Sequence, residues 1–230
     1  MQIIRRITFI IAVLINGQAI SGSMNKNILN MPKENLYFGI GVGGTFNKDT
    51  LDTLSDNSRI SKSINHSDVN GNISLGYGHT FANALFLSVE ANTYFPRRTT
   101  TVISPALPPD DNLFYENQIA FDDYLGLDLL SGYRLNSLLL FYGRAGLSFR
   151  DLSINQNPTN TSVSFFNSGN SVGGRFGLGF SYALSPNFAA SVDYFYTYHP
   201  TWSSYWRLYS LQFNTKSYAN YAGISLIVKV

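Results

Sequence analysis

From Leu36 onward the chain alternates apolar and polar positions in eight separate segments, which is how a strand reads when successive side chains point to two unlike faces. In the first, Leu36, Phe38, Ile40, Val42 and Phe46 are interleaved with Tyr37, Gly39, Gly41, Gly43 and Thr45. The second sets Val69, Ile73, Leu75 and Tyr77 against Asn70, Asn72, Ser74, Gly76 and Gly78. Leu85, Leu87, Val89, Ala91 and Phe95 form the apolar face of the third, and Phe121, Leu125, Leu127, Leu129 and Tyr133 that of the fourth. The fifth and sixth place Leu139, Phe141, Ala145, Leu147 and Phe149, then Val172, Phe176, Leu178 and Phe180, opposite faces rich in Gly and Ser. Phe188 to Tyr198 and Tyr218 to Val230 complete the set.

The connections alternate as well. Phe81 to Ala84, Arg134 to Ser137 and Ala183 to Asn187 carry the Asn, Ser and Pro of tight turns. Between them, Asn47–Asp68, Pro96–Gln118, Asp151–Gly169 and His199–Thr215 are long polar connections. Short turns at one end and long loops at the other predict an all-β fold, an eight-stranded antiparallel up-and-down transmembrane β-barrel with four long extracellular loops. A soluble sandwich or closed soluble barrel also alternates, but its apolar face points inward and its outer face carries charge. Here the charges near strand centres, Glu90, Asp128, Arg144, Arg175 and Asp193, all fall on the Gly-rich face. A lipid-facing Arg or Lys at mid-depth costs about 2–4 kcal/mol, so this one-sided placement favours lipid against the apolar face. In that case the five charges form a lumen network, with Asp128 beside Arg144, Arg175 beside Asp193 and Glu90 one strand from Asp128. An interior this narrow is filled by side chains, so paired ions in a polar core are preferred over an open ion path.

Composition sharpens the picture. Of 230 residues, 44% are hydrophobic and only 13% charged, about half the usual share of charge; one face of every strand in lipid accounts for the shortage. No cysteine is present, so neither a disulfide framework nor a thiolate metal site is available. Arg5 and Arg6 precede the apolar run Ile7–Ile15, followed by Gly17, Ala19, Ser21 and Ser23, the order of a secretory signal. The expected organisation is a signal over residues 1–19, with Gly17-Gln18-Ala19 and Ala19-Ile20-Ser21 both fitting a cleavage site within 19–23 and the cut after Ala19 preferred, a periplasmic lead-in over 20–34 and a barrel over 35–230. Without Arg5 and Arg6, the 16 basic residues become 14 against 14 acidic ones, so the formal +2 belongs to the export signal and gives no case for nucleic acid.

The segments Leu75-Gly76-Tyr77, Gly132-Tyr133-Arg134, Tyr142-Gly143-Arg144-Ala145-Gly146-Leu147, Arg175-Phe176-Gly177-Leu178-Gly179-Phe180 and Tyr221-Ala222-Gly223-Ile224-Ser225 resemble strand motifs of the eight-stranded outer-membrane barrels of the OmpA, OmpX and opacity-protein type. The resemblance covers about Leu36 to Val230. It implies a bacterial outer-membrane protein inserted by the barrel assembly machinery, surrounded by outer-membrane lipid and lipopolysaccharide, monomeric, and engaging any extracellular or host-surface ligand through its loops. Members usually end on an aromatic residue, whereas this chain ends on Val230.

Candidate chemistry is sparse. His66, His79 and His199 are scattered, and no local spacing assembles a nucleophile, base and acid, so neither an enzyme nor a metal or cofactor site is expected. Gly39, Gly41 and Gly44 match a dinucleotide fingerprint only formally, since no helix is predicted after them. Trp202, Tyr205, Trp206 and Tyr209 are loop binding candidates; an aromatic belt at the lipid headgroups is the plainer reading of the same residues. The expected role is envelope structure or adhesion, with a small gated channel as the alternative.

Overall fold

A computed structural model describes residues 34–55, 58–95, 98–105, 114–158, 165–206 and 211–230. The predicted signal and most of the lead-in lie outside them. Among the described residues there is no helix; nine strands run β1 (Glu34–Ser55), β2 (Ser58–Thr80), β3 (Leu85–Phe95), β4 (Arg98–Pro105), β5 (Phe114–Arg134), β6 (Leu139–Pro158), β7 (Phe165–Ala183), β8 (Phe188–Trp206) and β9 (Leu211–Lys229). Every pairing is antiparallel, each strand meets its neighbour in sequence except that β3 and β4 both pair with β5 and not with each other, and β1 closes the ring onto β9. β3 and β4 lie end to end along β5, so nine strands fill eight stations.

The three predicted turns tie one end of the barrel. Phe81 N donates to Leu85 O and Leu184 N to Phe188 O, while Asn136 Oδ1 accepts from both Leu138 N and Leu139 N. At the other end the long polar connections are largely continuations of the strands: β1 and β2 stay paired from Glu34–His79 to Ser55–Ser58.

Along these strands the direction of polarity reverses. In the lower part of the barrel, Leu36, Phe38, Ile40, Leu75, Val89, Leu129, Phe176, Leu178, Tyr194 and Ile224 are exposed on the outer surface, while Asn72, Ser74, Ser88, Glu90, Asp128 and Arg175 are buried inside. In the upper part, Leu51, Ile119, Phe121, Leu152, Ile154 and Phe213 form a buried apolar cluster, with Ile64 and Trp202 packed on it. Ser61, Ser63, Asn65 and Ser67 of β2 are exposed there. The lower part has the polarity of a barrel in lipid, and the upper part that of a barrel in water. The hydrophobic effect drives both, and only the solvent differs.

Two bulges make the reversal work and correct the expected faces. A register shift between Asp122 and Leu125 turns Phe121 inward, although simple alternation places it on the lipid face with Leu125 and Leu127. A second, between His199 and Trp202, brings Trp202 against the apolar cluster. One extra residue in a strand exchanges the faces of everything beyond it.

Candidate functional site

The five central charges come from five strands and meet inside the barrel. Arg144 Nη2 donates to Glu90 Oε1 at 2.9 Å, and its guanidinium lies 3.3 Å from Asp128 Oδ2 and 3.3 Å from Asp193 Oδ1. Arg175 donates from Nε to Asp128 Oδ1 at 2.6 Å, and from Nη2 to Asp128 Oδ2 at 2.5 Å and Asn92 Oδ1 at 2.7 Å. Hydroxyls and amides fill the remaining acceptor positions: Tyr37 donates to Glu90 Oε2 at 3.0 Å, Tyr142 to Asp193 Oδ1 at 2.8 Å, and Asn92 Nδ2 to Asp128 Oδ2 at 2.9 Å. Buried charges persist only when paired in this way.

The expected pairing of Arg175 with Asp193 is not the one formed. Arg175 stands opposite Thr197 on β8, while Asp193 stands opposite Gly179. On its other side Arg175 faces Gly146, which faces Asp128. Because Gly146 contributes no side chain, Asp128 and Arg175 join across β6; a Cβ on Gly146 would strike Asp128 Oδ1. Glycines of this row thus select ion partners two strands apart, a signal that pairing adjacent strands by depth passes over.

Above the ions sits an aromatic layer. Phe195 stacks on Tyr221 with centroids 4.6 Å apart, Tyr94 meets Tyr221 edge-on at 5.3 Å, and Arg175 and Arg144 lie over Phe195 at 5.1 Å and 5.5 Å. Phe195 and Arg150 belong to this lumen although neither is among the predicted site residues. Their inward parity was legible in the alternation of β8 and β6. Arg150 donates to Asp123 Oδ1 at 2.5 Å, to Asp123 Oδ2 at 3.1 Å and to Ser217 Oγ at 2.7 Å.

Higher still, the fold assembles a grouping that no local spacing announces. Ser171 Oγ lies 3.4 Å from His199 Nδ1, and His199 Nε2 lies 3.7 Å from Asp123 Oδ1. A serine, histidine and acid in a row suggest nucleophilic chemistry, but the details oppose it. The carboxylate is held by Arg150 in two places and so is committed elsewhere. Both Ser171 and His199 are buried. Ser171, His199 and Asp123 link β7, β8 and β5 across the lumen. Among the described residues no cluster of three His, Cys, Asp or Glu could hold a metal ion.

Of the aromatic loop candidates, Trp202 is partly buried against the apolar cluster, and its expected place in an exposed binding surface or headgroup belt is corrected by the bulge below it. Tyr205 is exposed. Trp206 pairs through its backbone with Leu211, its side chain lying outside the described residues, as does Tyr209.

A closed antiparallel ring with lipid-compatible walls and an ionic interior is a transmembrane β-barrel of the bacterial outer membrane. The chain belongs to the outer membrane protein beta-barrel domain family, whose sequence model matches residues 30–218. Solved structures similar to it include OprG from Pseudomonas aeruginosa, at 16% identity over 85% of this chain and 97% of that one with a TM-score of 0.48. The attachment invasion locus protein Ail of Yersinia pestis matches at 16% identity over 85% and 99%, TM-score 0.36. The outer membrane protease OmpT of Escherichia coli matches at 10% over 88% and 99%, TM-score 0.46. No curated protein matches the chain.

Proposed function

We propose that this barrel works through its extracellular surface, in envelope structure or adhesion, and neither passes solute nor catalyses a reaction. The observation that carries this reading is the stacking of three side-chain layers within one lumen: the Glu90–Arg144–Asp128–Arg175–Asp193 ions, the Tyr94–Phe195–Tyr221 rings, and the apolar cluster around Phe121 and Phe213. An eight-stranded barrel is only wide enough for its interior to be filled in this way. The partners are outer-membrane lipid and lipopolysaccharide around the apolar belt, the barrel assembly machinery during insertion, and an extracellular ligand at the strand ends that project beyond the belt; the protein acts as a monomer.

Purified protein in planar bilayers should show no steady conductance, and stable pores of porin size would overturn the proposal. Cells carrying a variant with the β1–β2 and β8–β9 ends cut back to short turns should lose adherence while the barrel keeps its heat-modifiable migration on gels. Retained adherence would count against the surface role. A second reading, a narrow gated path, draws on the contacts of Arg144 with three carboxylates, between which one guanidinium can exchange. Under that reading Glu90→Gln would change the frequency of small openings.

A further inference from the structure

We propose that the periplasmic mouth of the lumen is a binding site for a small organic anion, a carboxylate carrying a short apolar body. Arg134 ends β5 and Lys229 ends β9, and these strands stand on opposite sides of the eight-station ring. Their side chains nonetheless line one cavity and are near enough for their charges to act on each other. Arg134 is buried, and its Nε has no hydrogen-bond partner among the described residues. Neither cation forms an ion pair with a described residue, and the carboxylates on the same cavity, Glu90 and Asp193, are engaged by Arg144. Two like charges converging from opposite walls repel, and withdrawal from water removes the screening that would offset this. An anion between them relieves both terms.

The rest of the cavity defines the chemistry of that anion. Phe86, Leu130 and Leu140 form a buried apolar cluster on one wall, while Ser181 and Ser225 supply hydroxyls. The space, about 60 Å³, holds roughly four waters, which suits a carboxylate with a short hydrocarbon chain. A fully hydrated inorganic anion would leave the apolar wall unused. The ionic layer of Glu90, Arg144 and Asp193 forms the roof, so the site opens toward the periplasm.

The test uses the full-length folded barrel in detergent, titrated with butanoate, butanamide and inorganic phosphate by calorimetry. Butanoate should bind saturably and butanamide should not. Lys229→Gln and Arg134→Gln should each weaken butanoate about tenfold through loss of a charge-assisted hydrogen bond, while Arg59→Gln, at the far end, should leave it unchanged. Lys229 lies at the barrel rim, so its variant keeps the test open should Arg134→Gln fail to fold. Absence of butanoate binding, equal binding of butanamide, tighter binding of phosphate, or an unaffected Lys229→Gln variant would each overturn the proposal. None of these readouts is conductance or adherence, so the site stands or falls separately from the surface role.

Discussion

Replacing Arg175 by methionine removes three donated hydrogen bonds at 2.5–2.7 Å and leaves Asp128 buried beside a chain of similar length but no charge. The two side chains of this pair are 1% and 0% exposed, so water cannot take over. Removing one member of such a pair costs about 3–5 kcal/mol. Asp128 retains a guanidinium of Arg144 at 3.3 Å and an amide hydrogen bond from Asn92 at 2.9 Å. The lower end, about 3 kcal/mol, is therefore expected for Arg175→Met. Asp128→Asn should cost a similar amount, because it strands Arg175. If ion pairing is the cause, the double variant should be better than the sum of the two by about 2 kcal/mol, the coupling expected of contacting groups. Urea unfolding in lipid vesicles, followed by fluorescence of the two tryptophans and checked by heat-modifiable migration, measures all four proteins. Strict additivity, or an Arg175→Met loss below about 1 kcal/mol, would refute the reasoning and mean that shape rather than charge fills the lumen.

Two further expectations concern the extracellular half. Phe121 is 1% exposed within the upper apolar cluster, so Phe121→Ala should cost about 3–5 kcal/mol by leaving a cavity; a loss near zero in the same unfolding assay would return Phe121 to the outer surface. At the tip of the β1–β2 hairpin, a hydrogen bond from Ser61 and the nearby Arg59 guanidinium hold the Asp52 carboxyl below its ordinary range, burial opposing them only in part. A carboxyl whose folded value is depressed contributes stability that is fully present above its ordinary range and is lost as pH falls through the folded value. Hydrogen exchange of this hairpin should therefore speed up on acidification, and Asp52→Asn should flatten that dependence; an unchanged profile would count against the Ser61 and Arg59 contacts.

Much of the barrel was legible because lipid imposes a two-residue period that no other constraint interrupts in the lower strands. Leu85 to Val89 and Phe176 to Phe180 could be assigned to a face by counting, and their parity also put Glu90 and Arg175 indoors. Counting failed where one residue was added. The shift at Asp122–Leu125 leaves no signature in the sequence and that at His199–Trp202 only Pro200, which marks an irregularity without giving its register, so Phe121 and Trp202 were placed by the ladders. The polar stretch Asp151–Gly169 read as loop because Leu152 and Ile154 are thinly spread among Ser, Asn and Gln. Both are core residues in the folded chain, packed inside a barrel wall that stands in water.

Sequence alone determined the class of the protein and its solvent: eight alternating segments whose charges share one face can close only with that face inward when the surroundings are hydrocarbon. Tertiary structure decided who meets whom. Whether Arg175 reaches Asp193 or Asp128, whether Ser171, His199 and Asp123 converge, and whether Arg134 and Lys229 share a cavity all depend on the stagger between strands and on the glycines that let side chains cross them. Alternation carries the face of a residue but not its height. In a closed barrel it is the ladder register that sets height, and with it every contact across the lumen.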